Sequence, residues 1–427
     1  MTGGEPEPTL LRRLGTGDAV VIGLGSMIGA GVFSAFSPAA AAAGAGLLVG
    51  LLIAAVIAFC NATASAQMAA AYPTSGGTYV YGRERLGHWW GFTAGWGFVA
   101  GKTASCAAMA LTVADYALPG PSWAQRLIAV AAVIGLTALN YHGVTKTAIL
   151  TRILVALSLT ALGAAVIGII VGLTTGTDRA GASLDHWGGP YGVLQAAGLL
   201  FFAFAGYARI ATMGEEVRDP GRTIPRAIPI ALTITVVVYL VVAVAALLAL
   251  GPENLATAAA PLVAAVQAVG ANALAPVVRV GAALAALGAL LALIAGIGRT
   301  TLAMARNRDL PTWLAAVHPR FRVPHHAELT LAVIVSGLVL ATDLRGVIGF
   351  SSFGVLIYYA IANAAAFTQP AVQRRWPRAL QIIGILGCTV LVVTLPWVSI
   401  VAGVIMFLIG LTGRWVVLTR REHTSAR

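Results

Sequence analysis

The chain has 427 residues, 59% apolar and only 10% charged, with a mean hydropathy of +0.87. Soluble domains carry roughly 25% charged residues, so this composition excludes a soluble enzyme, a nucleic-acid-binding protein and a disordered chain. The net charge of +12 is accounted for by membrane topology, because Arg and Lys collect in cytoplasmic loops.

Apolar runs fall at about 18–42, 45–71, 89–116, 123–140, 147–173, 191–214, 227–251, 275–303, 327–342, 346–368, 379–395 and 397–414. A spanning helix needs about 20 apolar residues. Several pairs are split only by Gly, Pro or a lone charge, so about ten to twelve spans are expected. The division that follows is a tail at 1–17, a five-helix unit at 18–173, a second at 191–368, two additional helices at 379–414 and a tail at 415–427. The first tail, with Arg12 and Arg13, reads as cytoplasmic rather than as a cleaved leader.

Alternate loops then carry Arg83, Arg85, Lys146, Arg218, Arg222, Arg226, Arg306, Arg308, Arg320, Arg322, Arg374, Arg375 and Arg378. The opposite loops carry only Arg126, Arg179 and Arg345. This asymmetry predicts both termini inside a multi-pass cytoplasmic membrane protein. Cys60, Cys106 and Cys388 sit in apolar runs without metal-ligand spacing and read as packing residues.

Two spans are weak helices. The first contains Gly25-Ser-Met-Ile-Gly-Ala-Gly-Val-Phe33, and each glycine costs about 1 kcal/mol relative to Ala. The sixth contains Phe201-Phe-Ala-Phe-Ala-Gly-Tyr207 at similar depth. Unwound backbone is tolerated in lipid only where it lines a cavity or meets a ligand. Because the two lie five spans apart, units of five would have opposite topology, and paired interrupted helices point to a transporter site. Free N–H groups suit a carboxylate and free carbonyls suit an ammonium, so together they suit a zwitterion such as an amino acid. Close packing through small residues is the plain alternative.

At these residues the sequence resembles the amino acid–polyamine–organocation (APC) superfamily of transporters, of the bacterial amino acid permease type. Four segments carry the likeness: Ile28-Gly-Ala-Gly-Val-Phe33; Ala71-Tyr-Pro-Thr-Ser-Gly-Gly-Thr-Tyr79 with Gly95-Trp96; Phe201 to Tyr207 with Glu215-Glu216-Val-Arg-Asp-Pro-Gly-Arg-Thr-Ile-Pro225; and Ala303-Met-Ala-Arg-Asn-Arg-Asp-Leu-Pro311 with His318-Pro319. The resemblance implies an all-α membrane protein of LeuT-type fold, with about 12 transmembrane helices, a 5+5 inverted repeat and discontinuous helices 1 and 6. It implies a substrate-binding stretch of Met27, Ile28, Gly29, Ala30 and Gly31 facing Phe202, Ala203, Phe204 and Ala205. The N–H groups of Gly29, Ala30 and Gly31 would bind the carboxylate. The carbonyls of Met27, Phe202, Ala203 and Ala205 would receive the amino group, and Phe204 would be an outer lid.

Lys102 lies deep in the third run, where a charge costs at least about 2.5 kcal/mol. It is a candidate proton carrier, or else a structural partner of a carbonyl. Relatives often carry a Lys on the fifth helix, where this chain has Ser158. Arg209 could pair with Glu215 or Glu216 as an inner gate, or meet an acidic substrate. Between Pro276 and Gly298 there is no Ser or Thr to offer sodium a hydroxyl, so sodium-independent transport is expected. Asp18 and Asp115 sit near helix ends. Neutral amino acids are favoured and acidic ones come second, by proton symport or by exchange. The seven histidines, 88, 142, 186, 318, 325, 326 and 423, fall in loops or tails, and no GxxxxGK[ST] loop is present. An embedded enzyme is therefore disfavoured, as are a nutrient sensor and a channel. No cofactor, metal or obligate protein partner is implied; the partners are the amino acid, protons and the bilayer.

Overall fold

The computed structural model describes residues 14–72, 76–142, 147–175, 186–211, 213 and 217–425, with the backbone alone for 147–151 and 420–425. Among these residues the chain is helical, with two isolated bridges and no strand. Lipid offers no hydrogen bonds, so spanning backbone must satisfy itself within helices.

The first span is α1 (Thr16–Met27), α2 (Ala30–Ser34) and α3 (Phe36–Ala43). Then come α4 (Leu47–Ala71), α5 (Thr78–Leu86), α6 (His88–Ala117), α7 (Ser122–Tyr141) and α8 (Thr147–Thr174). The sixth span is α9 (Gly189–Phe204), a 3-10 turn (Ala205–Tyr207) and α10 (Ala208–Ala211). It is followed by α11 (Pro220–Thr257), α12 (Pro261–Ala268), α13 (Ala275–Arg306), α14 (His325–Ala341), α15 (Leu344–Phe367), α16 (Arg378–Thr394) and α17 (Trp397–Ser425).

Ten spans among the described residues are long and apolar enough to cross a membrane, and α14 and α16 are shorter apolar helices. Several elements differ from the run-based expectation. The first run is three helices rather than one. α11 starts at Pro220, ahead of Arg222 and Arg226, and α17 continues past Arg414. Charged residues end an apolar run but not a helix, which extends into the interface unimpeded. α5 and α12 lie wholly in stretches that composition marks as connections.

Exposed tryptophans form two bands. Trp89, Trp90, Trp313 and Trp415 lie at one set of helix ends, and Trp123, Trp187 and Trp397 at the other. Indole rings prefer the membrane–water interface. Along α17, Trp397 and Trp415 are separated by about 27 Å at 1.5 Å per residue, close to a hydrocarbon core of about 30 Å.

The two interrupted spans lie antiparallel and are clasped at both ends. Arg218 N–H donates to the Leu14 carbonyl at 3.0 Å. At the other end Ala45 N–H donates to His186 and Gly188 N–H to Ala43, both at 3.0 Å. α6 and α15 cross on glycine: a Cβ on Gly354 would come within 2.6 Å of the Gly97 carbonyl. Such contact maximises dispersion where no hydrophobic effect drives helices together. Cys60, Cys106 and Cys388 are buried and unbridged. Cys388 Sγ lies 3.3 Å from Asn61 Nδ2, and Asn61 Oδ1 accepts from Asn363 Nδ2 at 2.6 Å, linking α16, α4 and α15.

Candidate functional site

The first span leaves helical geometry at Ile28 (φ −80°, ψ 62°) and Gly29 (φ −115°, ψ −135°). The sixth is interrupted more mildly, tightening into the 3-10 turn. One glycine there against three in the first span accounts for the difference. Gly206 rests on the first break, since a Cβ on it would come within 2.1 Å of the Ser26 carbonyl. A Cβ on Gly31 would come within 2.6 Å of Ala203 Cα. The two interruptions thus touch backbone to backbone.

Hydrogen-bonding groups freed at the breaks are in part already engaged. Ile28 N–H donates to Leu24 and Gly29 N–H to Met27, at 2.6 and 2.8 Å. The Tyr239 hydroxyl, from α11, lies 2.5 Å from the Met27 carbonyl and 3.0 Å from that of Ala203, and donates to one at a time. Phe202 O accepts from Ala205 N–H. The Ala205 carbonyl accepts from Lys102 Nζ at 3.1 Å and from the Tyr359 hydroxyl at 3.3 Å. Ala30 and Gly31 open α2, so their N–H groups have no carbonyl in an earlier turn of that helix.

Beside the Ala205 carbonyl is a cavity of ≈ 60 Å³, room for a few waters. Lys102, Phe98 and Ser105 of α6 line it, with Phe202, Ala205 and Arg209 of the sixth span and α13 from Ala289 to Thr300. Lys102 is 5% exposed, so its ammonium is buried at the site. Arg209 is half-buried, and exposed Arg299 marks the side on which the cavity opens. On the opposite side Phe204 is fully buried, its ring 5.1 Å from that of Tyr239. The Tyr116 hydroxyl donates to the Phe33 carbonyl at 2.8 Å, joining α6 to α2.

Met27, Ile28, Gly29, Ala30 and Gly31 are all buried at the break. Phe202 and Ala205 line the cavity, whereas Ala203 faces Tyr239 and Gly31. Ser158 is buried and bonded within α8, its hydroxyl donating to Leu154 at 2.7 Å. Glu215 and Glu216 lie outside the described residues.

Tyr239 and Tyr359 did not stand out in the sequence, although a lone Tyr inside an apolar run needs a partner for its hydroxyl. Glu328 did not stand out either. It stands in the first turn of α14, 1% exposed, and its Oε1 accepts from Asn140 Nδ2 at 2.7 Å.

The family model described as amino acid permease matches residues 14–417. The chain is 59% identical to an uncharacterized transporter of Mycobacterium tuberculosis, over 97% of this chain and 94% of that protein. It is 26% identical to the branched-chain amino acid permease BcaP of Bacillus subtilis, over 98% and 95%. It is 28% identical to the chloroplastic cationic amino acid transporter 7 of Arabidopsis thaliana, over 89% and 70%. Interrupted spans meeting over a buried cavity and a family match across almost the whole chain agree: the chain belongs to the amino acid permease family of the APC superfamily.

Proposed function

We propose that the protein is a secondary active transporter that moves amino acids across the cytoplasmic membrane by alternating access, with both termini inside. The observation that carries this reading is the contact of the two interrupted backbones beside the cavity that holds Lys102. The N–H groups of Ala30 and Gly31 would take the substrate carboxylate, joined by Gly29 once its bond to Met27 opens. The carbonyls of Met27, Phe202, Ala203 and Ala205 would take the amino group. The Ala205 carbonyl now accepts from Lys102, so an arriving ammonium competes with the lysine for it. That competition links substrate binding to the lysine's charge and supports proton coupling. The absence of hydroxyl residues between Pro276 and Gly298 favours sodium independence, because sodium needs oxygen ligands.

Neutral amino acids are the favoured substrates. Acidic ones form a second reading: Lys102, Arg209 and Arg299 line the cavity, and no carboxylate stands among the described residues that line it.

The test is uptake of a panel of labelled amino acids into proteoliposomes under an inward proton gradient, with and without sodium. Uptake that follows the gradient and ignores sodium is expected. Uptake only with amino acid preloaded inside would replace symport by exchange. If folded protein transports no amino acid, the substrate class is wrong.

A further inference from the structure

Away from the substrate cavity, a groove of ≈ 1040 Å³ runs between the start of α6, the chain after α13, and α17. Its mouth is basic. Arg83 Nη1 lies 3.2 Å from Asp309 Oδ2 and Arg414 Nη1 lies 2.5 Å from Asp309 Oδ1. The Tyr79 hydroxyl donates to the same carboxylate at 2.8 Å. Exposed Arg308 and His88 complete the mouth, so the groove is lined by three arginines and a single carboxylate. Arg414 is 8% exposed, and its Nε has no hydrogen-bond partner among the described residues. Its guanidinium lies 5.1 Å from the Trp89 ring and 4.6 Å from that of Phe92, a geometry that stabilises the cation.

Below the mouth the groove turns apolar. On the bilayer side of Arg414 the groove is lined by Phe92 and Trp96 of α6 and by Ile409 and Gly410 of α17, with Ile409 about 7.5 Å before Arg414 along the helix at 1.5 Å per residue. Ile409 is 62% exposed, so the groove opens sideways toward lipid. Trp89 and Trp313 belong to one of the two tryptophan bands, which puts the basic mouth at headgroup depth. A soluble anion would fill the mouth and leave the apolar trough open. A neutral lipid would fill the trough and leave the excess positive charge unanswered.

We propose that this groove is a binding site for an anionic phospholipid, with the phosphate at Arg83, Arg308 and His88 and the acyl chains along α17. The site binds one lipid between α17 and the bundle and so fixes the last helix to α6. It stands independently of the transport reading.

The test uses full-length protein in mild detergent, with lipid retention read by native mass spectrometry. Dioleoyl phosphatidylglycerol should be retained at least about tenfold more strongly than dioleoyl phosphatidylcholine. In the double variant Arg308→Asn with His88→Gln that preference should fall below about threefold, with phosphatidylcholine retention unchanged. Both positions are exposed, and Asn tolerates the positive φ of Arg308 (58°). Equal retention of the two lipids by the wild type, or an unchanged preference in the variant, overturns the proposal. So does glycerol 3-phosphate displacing phosphatidylglycerol at matched concentration, which would mark a soluble-phosphate site. A second readout leaves the charged residues of the mouth in place. Brominated phosphatidylglycerol should quench tryptophan fluorescence more than brominated phosphatidylcholine, and Trp313→Phe should remove part of the excess. Equal quenching by the two lipids counts against the site.

Discussion

At the residue scale, the proposed proton coupling is tested at Lys102. Its Nζ is buried and bonded to the Ala205 carbonyl, an arrangement that serves a proton carrier and a fixed strut equally. Gln separates the two roles, because its amide can donate to the same carbonyl but cannot gain or lose a proton. Lys102→Gln should lower proton-driven uptake at least about tenfold and flatten its pH dependence, a cost typical of a lost acid–base group. Normal uptake with an unchanged pH profile would make the lysine structural. Tyr239 offers a second test. Tyr239→Phe removes the hydroxyl shared by Met27 and Ala203, so stability should fall by about 1 kcal/mol in a thermal-unfolding assay. A larger loss in substrate affinity than in stability would tie the hydroxyl to the substrate-bound arrangement. Lys102 was legible in the sequence because a charge deep in an apolar run has few tolerable environments. Which carbonyl it reaches was not, since that depends on the spacing of α6 from the sixth span.

Among the elements, the pair of interrupted spans carries the tightest backbone contact at the site. A methyl at Gly206 would press into the Ser26 carbonyl and the Met27 nitrogen, which are backbone atoms that cannot rotate away. Gly206→Ala should therefore destabilise by about 1–3 kcal/mol through overpacking and abolish uptake. Gly163 of α8 has open space around its Cβ position. There Ala should leave uptake intact and stabilise by up to about 1 kcal/mol through helix propensity. Both variants are scored by detergent-solubilised melting and uptake; an active, stable Gly206→Ala would remove the close-contact account. The two weak spans were readable from glycine placement alone. Three glycines against one agree with the fuller break in the first span, but which backbone atoms the breaks meet was not legible, because that depends on how the two spans pack. α5 and α12 escaped for another reason. Short interfacial helices are held by neighbours, α5 against α6 and α15 and α12 against α11 and α13, rather than by an apolar run of their own.

Across the whole molecule, Asp309 ties three distant parts of the chain together: Tyr79 and Arg83 from α5, the segment after α13, and Arg414 of α17. The Asp309 and Arg414 side chains are only 7% and 6% exposed. Breaking a buried pair by removing one partner costs about 3–5 kcal/mol, because the remaining charge is left uncompensated. Asp309→Asn should lower the melting midpoint strongly, and Arg414→Met alone should also do so. The double variant should lose less than the sum of the two, since neither member of the Asp309–Arg414 pair is then left as an uncompensated charge; fully additive losses would show that the ions do not act as a unit.

By itself the sequence determined the membrane class, the approximate number and placement of spans, the two weak helices and the residues that resemble the permease motifs. It could do so because those properties follow from local terms: apolar run length, glycine cost and the price of charge in lipid. Only the tertiary structure decided that the two breaks touch through Gly206 and Gly31 and that Lys102 occupies the Ala205 carbonyl. It alone also decided that Tyr239 bridges the interruptions and that Asp309 gathers Arg83 and Arg414 beside a groove. Those outcomes depend on which helix faces meet, and in a chain so uniformly apolar the faces carry little pattern to announce their partners. The meeting points are chosen by close packing of small residues and by the need of each buried polar group for a partner.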